Sequence, residues 1–136
     1  MRILKKIVLL AYSVCCLSGA VWAQNVKPFV IPELKEWKGG DGQFTPTASS
    51  RIVCTSGETE LLRVVQAFAA DYEEMFGVYM PVSVGKSTAG DFVFQLKPDR
   101  KMPKEGYDIR ITDRVLVSAP ETSGAFWATR TLLQMT

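Results

Sequence analysis

The strongest pattern along the chain is an apolar stripe at helical spacing in residues 58–76. Its members recur three or four positions apart, the period of one helix face: Leu61, Val65, Phe68, Tyr72, Met75 and Phe76. Thr55 lies three residues before Glu58, which is the spacing of a capping box. Gly77 follows the last apolar residue, where a left-handed residue commonly ends a helix. The pattern predicts one long amphipathic helix.

A second helical stripe is predicted in residues 123–135, where Thr122 or Ser123 can cap the first turn. Its apolar face contains Ala125, Ala128, Leu132 and Met135, and Phe126 and Leu133 widen it. This helix runs to Thr136 with no glycine, proline or polar tail, whereas a domain normally finishes with a stop signal. We therefore expect a chain cut short, or a gene model that ends early, whose last helix buries part of its stripe against protein outside this sequence.

Strand patterns occupy most of the remaining apolar segments, because they alternate at period 2 or are rich in β-formers. These segments are residues 43–45, 51–54, 80–84, 91–96, 107–111 and 115–119. Thr112 and Asp113 separate the last two, which predicts a β-hairpin. Val30 and Ile31 can form a short edge strand only, because prolines flank them. The order predicts an α+β fold with a mostly antiparallel β-sheet backed by two α-helices.

The first 23 residues have the pattern of a secretory signal peptide. Arg2, Lys5 and Lys6 precede an apolar run at residues 7–17, and residues 21–23 suit cleavage before Gln24. The run is shorter than the roughly 20 residues of a membrane-spanning helix, so we expect no stable membrane span. A buried N-terminal helix and lipidation within the apolar run are the less favoured alternatives. We expect an exported protein, periplasmic or extracellular, with residues 24–136 as one domain.

Charge and cysteine content change once the signal is removed. Without its three basic residues, 13 of the 16 Lys and Arg remain against 14 Asp and Glu, so the formal net charge changes from +2 to −1. This balance gives no reason to expect a nucleic-acid or anionic-membrane partner. Cys54 becomes the sole cysteine, so we expect a buried, inert thiol and no internal disulfide.

The composition offers few candidate catalytic residues. The chain contains no histidine, which excludes Ser–His and Cys–His catalysis and His-ligated metals. The acidic residues that might act in glycoside hydrolysis are interpreted instead as solvated surface positions: Asp71, Glu73, Glu74, Glu105 and Asp108. Residues 39–42 lack the spacing of a phosphate-binding loop. We expect no catalytic, cofactor-binding or metal-binding residues in this chain.

Three stretches resemble the N-terminal accessory domain of family 20 glycoside hydrolases, the β-N-acetylhexosaminidases. Residues 30–32 and 42–44 resemble the family's opening "IP…G.F" segment, and residues 105–111 resemble its "EGY.L.I" strand. Residues 124–135 resemble its "G.FY…TL.QL" helix. The resemblance covers about residues 28–136 and implies a zincin-like accessory architecture, an antiparallel sheet backed by two helices.

The resemblance also implies that this domain is the non-catalytic part of a larger enzyme. In the family this domain packs against a catalytic (β/α)8 barrel, where a Glu protonates the leaving oxygen and an adjacent Asp orients the substrate's acetamido nucleophile. This sequence contains no Asp-Glu dipeptide, so we expect the barrel to be missing from the chain and the chain alone to be inactive. The implied partners are that barrel and, through it, a glycan with terminal N-acetylhexosamine.

Two other functions stay open at this point. The chain can be a free-standing carbohydrate-binding or protein-interaction module, with Trp37, Tyr79 and Trp127 as its contacts, although loop packing is the favoured interpretation of Trp37 and Tyr79. Catalysis by the chain alone is the least favoured.

Overall fold

Helix α1 spans Thr59–Phe76 in the computed structural model, which describes residues 24–135. It ends as the sequence predicts, because Gly77 adopts the left-handed conformation (φ 68°) and its N–H bonds to the carbonyl of Glu73 at 2.8 Å. The predicted capping box is wrong. Glu58 takes the N-cap position with no side-chain cap bond, and the N–H of Thr55 bonds to the Phe94 carbonyl, so the chain is still completing the sheet there.

Five short strands and a second helix complete the fold. They are β1 Ile52–Cys54, β2 Val82–Val84, β3 Phe92–Leu96, β4 Asp108–Ile111, β5 Val115–Ala119 and α2 Thr122–Met135. The strands predicted at residues 30–31 and 43–45 are wrong. Phe44 supplies a ring to the core, edge-on to Phe92 at 5.4 Å, while the backbone of Ile31 bonds to a side chain of α2. The predicted export signal, residues 1–23, lies outside the described residues.

The sheet is mixed, with strand order β2-β1-β3-β5-β4. The α+β class is confirmed, but the mostly antiparallel arrangement is not. Strand β1 pairs in parallel with β2 and β3, and β3 pairs in parallel with β5. Parallel neighbours need a crossover connection, and α1 supplies one between β1 and β2. The predicted hairpin is confirmed, since β4 and β5 pair antiparallel with Ile111 opposite Val115.

The core lies between one face of the sheet and the two helices. Phe68 of α1 is at its centre, with ring centroids 5.8 Å from Phe92 and 5.7 Å from Phe94. Alternate residues of β1, β3 and β5 join this cluster, including Cys54, which is buried as predicted. Truncating a buried phenylalanine commonly costs about 3–5 kcal/mol, so this aromatic contact stabilises the position of α1 on the sheet.

A buried carboxylate ties the beginnings of β1 and β3 together. Asp91 accepts hydrogen bonds from the Arg51 guanidinium at 2.6 Å and from the N–H of Thr88 at 2.8 Å. Burial alone would raise the pKa of Asp91, but the bonds from Arg51 and Thr88 and the Arg51 charge outweigh it, so the pKa is lowered. The ionised carboxylate is therefore the form that stabilises this corner of the sheet.

We expect D91N to lower the free energy of unfolding by about 1–3 kcal/mol at neutral pH, because it leaves Arg51 without its charged acceptor. The folded pKa lies below the unfolded value, so the carboxylate's contribution is complete above about pH 4 and is lost as the pH falls through the folded pKa. Urea unfolding of wild type and D91N at several pH values measures this. The control is the exposed Asp41, as D41N. A D91N deficit that did not shrink in acid would contradict this account.

Candidate docking surface on the helical face

Helix α2 approaches the chain before β4 so closely that only glycine fits at the contact. A Cβ added to Gly124 would collide with the carbonyl oxygen of Gly106 and lie 3.1 Å from the Cβ of Ala119. Gly106 and Gly124 belong to two of the stretches that carry the family resemblance. These two glycines therefore set the distance between the first turn of α2 and the residues just before β4.

Two further contacts hold α2 along its length. In the middle, the hydroxyls of Tyr107 and Thr131 are 2.6 Å apart and share a hydrogen bond. Near the end, the Gln134 amide accepts from the N–H of Ile31 at 2.8 Å and donates to its carbonyl at 3.0 Å. Each contact joins two of the three motif stretches, so these motifs are the places where α2 is fastened to the rest of the domain.

The apolar stripe of α2 faces the domain's own core. Ala125, Ala128 and Leu132 are buried there, so the expectation that part of this stripe awaits another protein is wrong for these residues. Phe126 does not widen the buried stripe but is 41% exposed, and Trp127 is 39% exposed. The apolar surface that α2 leaves open is therefore this aromatic pair on its outer side.

The exposed aromatic pair belongs to an organised surface, which we call the helix-face cluster: Phe126, Trp127, Arg130 and Asp71. The two rings meet edge to face with centroids 5.3 Å apart, and the Arg130 guanidinium lies 5.2 Å from the Phe126 centroid. Arg130 also pairs with Asp71 of α1 at 2.7 Å. Partly exposed ion pairs contribute at most about 1 kcal/mol, so the main effect of the pair is to orient these groups.

Sequence reasoning missed Arg130 and Gln134 as members of this region. The signal was available, because Phe126, Arg130 and Gln134 follow one another at intervals of four and so share one side of the helix. What the sequence could not reveal was that Asp71 of the other helix lies opposite Arg130.

The acidic residues considered for catalysis are not brought together. Asp71 is engaged with Arg130, while Glu73 and Glu74 are exposed on α1. Glu105 and Asp108 are exposed beside and within β4. Glycoside hydrolysis by protein carboxylates requires two of them facing each other across a sugar. Their interpretation as solvated positions agrees with this placement, apart from the ion pair of Asp71.

The two aromatic side chains considered for stacking on sugars, Trp37 and Tyr79, differ in their surroundings. The indole N–H of Trp37 donates to the carbonyl of Asn25 at 3.2 Å, and the N–H of Asn25 bonds to the Gly40 carbonyl at 2.9 Å. A Cβ on Gly39 would collide with that same Asn25 carbonyl, so residues 39–42 close a loop, as interpreted. Tyr79, in contrast, is 66% exposed.

The described part of the chain shows neither a reactive cysteine nor a cluster of side chains suited to bind a metal ion. Burial raises the pKa of the Cys54 thiol to about 11, so it stays protonated at neutral pH. Residues 24–135 hold no group of three or more His, Cys, Asp or Glu side chains placed to bind a metal ion. Within the same residues, neither helix has the length and apolar character needed to cross a membrane.

The fold and the contacts that hold α2 define a small α+β domain, in which the recognisable motifs serve packing. Residues 27–136 match the family model described as glycosyl hydrolase family 20, domain 2. The chain therefore belongs to that family, as the resemblance indicated. A search among curated proteins found no matching relative.

We expect G124A to destabilise the domain by about 1–3 kcal/mol, because a methyl group cannot fit against the Gly106 backbone. Helix propensity acts in the other direction, since alanine is favoured over glycine by about 1 kcal/mol in a helix interior. The control is G57A, a loop position where an added Cβ meets open space, which shows the effect of the Gly→Ala change without a clash. Thermal unfolding of the two variants shows whether the clash or the gain in helix propensity dominates in G124A. A higher melting temperature for G124A would show that the contact between Gly124 and the Gly106 backbone is not tight.

Proposed function

We propose that this domain supports the catalytic (β/α)8 barrel of an exported β-N-acetylhexosaminidase, an enzyme that removes terminal N-acetylhexosamine from glycans. The barrel would lie outside residues 1–136. In this proposal the helix-face cluster is the surface that docks on the barrel. Membership in family 20 domain 2 supports the choice of parent enzyme, and the secretory pattern of residues 1–23 supports export.

The observation that carries the docking proposal is the pair of exposed rings, Phe126 and Trp127. Aromatic side chains and arginine are enriched where protein surfaces meet. The aromatic side chains bury large areas at a small cost in side-chain entropy. The Phe126–Arg130 contact and the Arg130–Asp71 ion pair hold these groups in place before docking. Covering the cluster would shield the ion pair from water and strengthen it.

The proposed work of the domain is mechanical rather than chemical. The barrel would hold the Asp–Glu pair that performs substrate-assisted hydrolysis. The acidic side chains considered for catalysis lie apart, on α1 and beside or within β4, and the sequence contains no histidine. We therefore expect the purified chain to release no chromophore from a chromogenic N-acetylglucosaminide. Turnover by the chain alone, surviving repurification, would overturn this assignment.

Docking is tested in the two-domain protein encoded by the gene and its downstream sequence. We expect F126S/W127S to lower its unfolding free energy by about 2–4 kcal/mol, because both rings lose their contacts with the barrel. The same change in this chain alone should cost only about 1 kcal/mol, since it removes the contacts among the partly exposed rings and Arg130 but no contact with a barrel.

The matched control is I111S, because Ile111 is as exposed as Phe126 but lies on strand β4. Its effect should be the same in both proteins. A two-domain protein no more sensitive to F126S/W127S than the single domain would exclude the helix-face cluster as the docking surface. A downstream sequence that encodes no barrel in any frame would remove the parent enzyme itself and favour a free-standing binding module.

A further inference from the structure

The two edges of the sheet are protected to different degrees. Strand β4 carries the charges of Asp108 and Arg110, which discourage another strand from pairing there. Strand β2 consists of Val82, Ser83 and Val84, and Val84 is 53% exposed. Natural sheets usually protect an open edge with charge or irregularity, so the uncharged β2 edge is the one suited to receive a strand.

The backbone of β2 presents hydrogen-bonding groups on its outer side. The carbonyl of Pro81 and the N–H of Gly85 both bond to β1, each at 2.9 Å. Because alternate residues of a strand direct their backbone groups to opposite neighbours, the N–H and C=O groups of Val82 and Val84 point away from β1. Strand β2 lies at one edge of the sheet, so these groups have no strand partner among residues 24–135.

A groove of about 310 Å³ opens beside this edge, between α1 and residues 79–82. Ala69, Ala70 and Val82 form its apolar part, and Glu73 and Tyr79 contribute a carboxylate and a ring to its lining. The small alanine side chains leave room above the helix for an incoming side chain.

The register of the sheet directs an added strand's side chains into this groove. Val82 and Val84 lie opposite Ile52 and Cys54, whose side chains belong to the core on the helical face. Every second side chain of a strand beside β2 would point to that same face. One apolar side chain could cover the alanines, and a cation two residues away could meet Glu73 and, through a cation–π contact, the ring of Tyr79.

We propose that β2 and this groove bind an extended peptide strand by β-augmentation, with an apolar side chain two residues from a lysine or arginine. The open backbone groups of Val82 and Val84 favour a peptide over a glycan, because they match the alternating donors and acceptors of another strand. This site is separate from the helix-face cluster and does not depend on the proposed function.

The test uses the isotope-labelled full chain and a short probe peptide in which valine and lysine alternate with threonine. We expect amide chemical shifts to change at Val82, Val84 and the groove alanines. Methylating the probe's backbone nitrogens that face β2 should weaken binding by about tenfold or more, because it removes the donors. Shift changes confined to other surfaces, none at millimolar peptide, or equal binding of the methylated probe would each overturn the proposal.

Matched variants locate the contacts. V84K puts a charge on the edge and should weaken binding by about tenfold. E73K reverses the exposed charge in the groove and should weaken binding by about threefold. I111K on the other edge and E74K, one residue further along α1, should bind the probe like wild type. Glu73 is an exposed helix position, so E73K keeps the test valid if V84K fails to fold. Equal loss in the controls, or displacement of the probe by N-acetylglucosamine oligomers, would overturn the strand assignment.

Discussion

The close approach of α2 to the Gly106 carbonyl is the constraint on which the helical layer depends. It permits no side chain at Gly124, so the first turn of α2 rests directly on backbone. With that end held, Tyr107 and Gln134 fasten the middle and the far end of the helix. The orientation that results buries the small residues of α2 and directs its aromatic pair outward. The exposed position of the proposed docking surface is thus a consequence of how the helix is held.

The sequence predicted those elements whose signals are local. The spacing of apolar residues located α1, Gly77 marked its end, and Thr112 with Asp113 marked the hairpin. Strand direction was not predictable in the same way, because three-residue apolar runs such as β1 and β2 look alike in parallel and antiparallel sheets. The strand prediction at residues 43–45 was wrong for a related reason. The apolar side chain of Phe44 belongs to the core, but its backbone belongs to no strand.

The candidate site was less predictable than the fold because its contacts join residues distant in sequence. Arg130 of α2 meets Asp71 of α1, and outside the site the Arg51–Asp91 pair likewise spans forty positions. No local pattern links any of these residues to its partner. The family motifs, by comparison, were recognisable because they contain residues that packing constrains strongly, such as the glycines at the α2 contact. A sequence signature made of packing residues identifies a domain without indicating which surface it uses.

Helix α1 connects the two surfaces proposed for this domain. On one side Asp71 engages Arg130 of α2, and on another Ala70 and Glu73 line the groove beside β2. Phe68 fixes the same helix to the sheet through two aromatic contacts, with Phe92 and Phe94. Interiors packed in this way resist deformation, so a rigid α1 would let each surface be occupied without disturbing the other. The helix-face cluster would recognise a partner through side chains, and the β2 edge through backbone. The two occupants would therefore not compete, because they use different groups on different sides of α1.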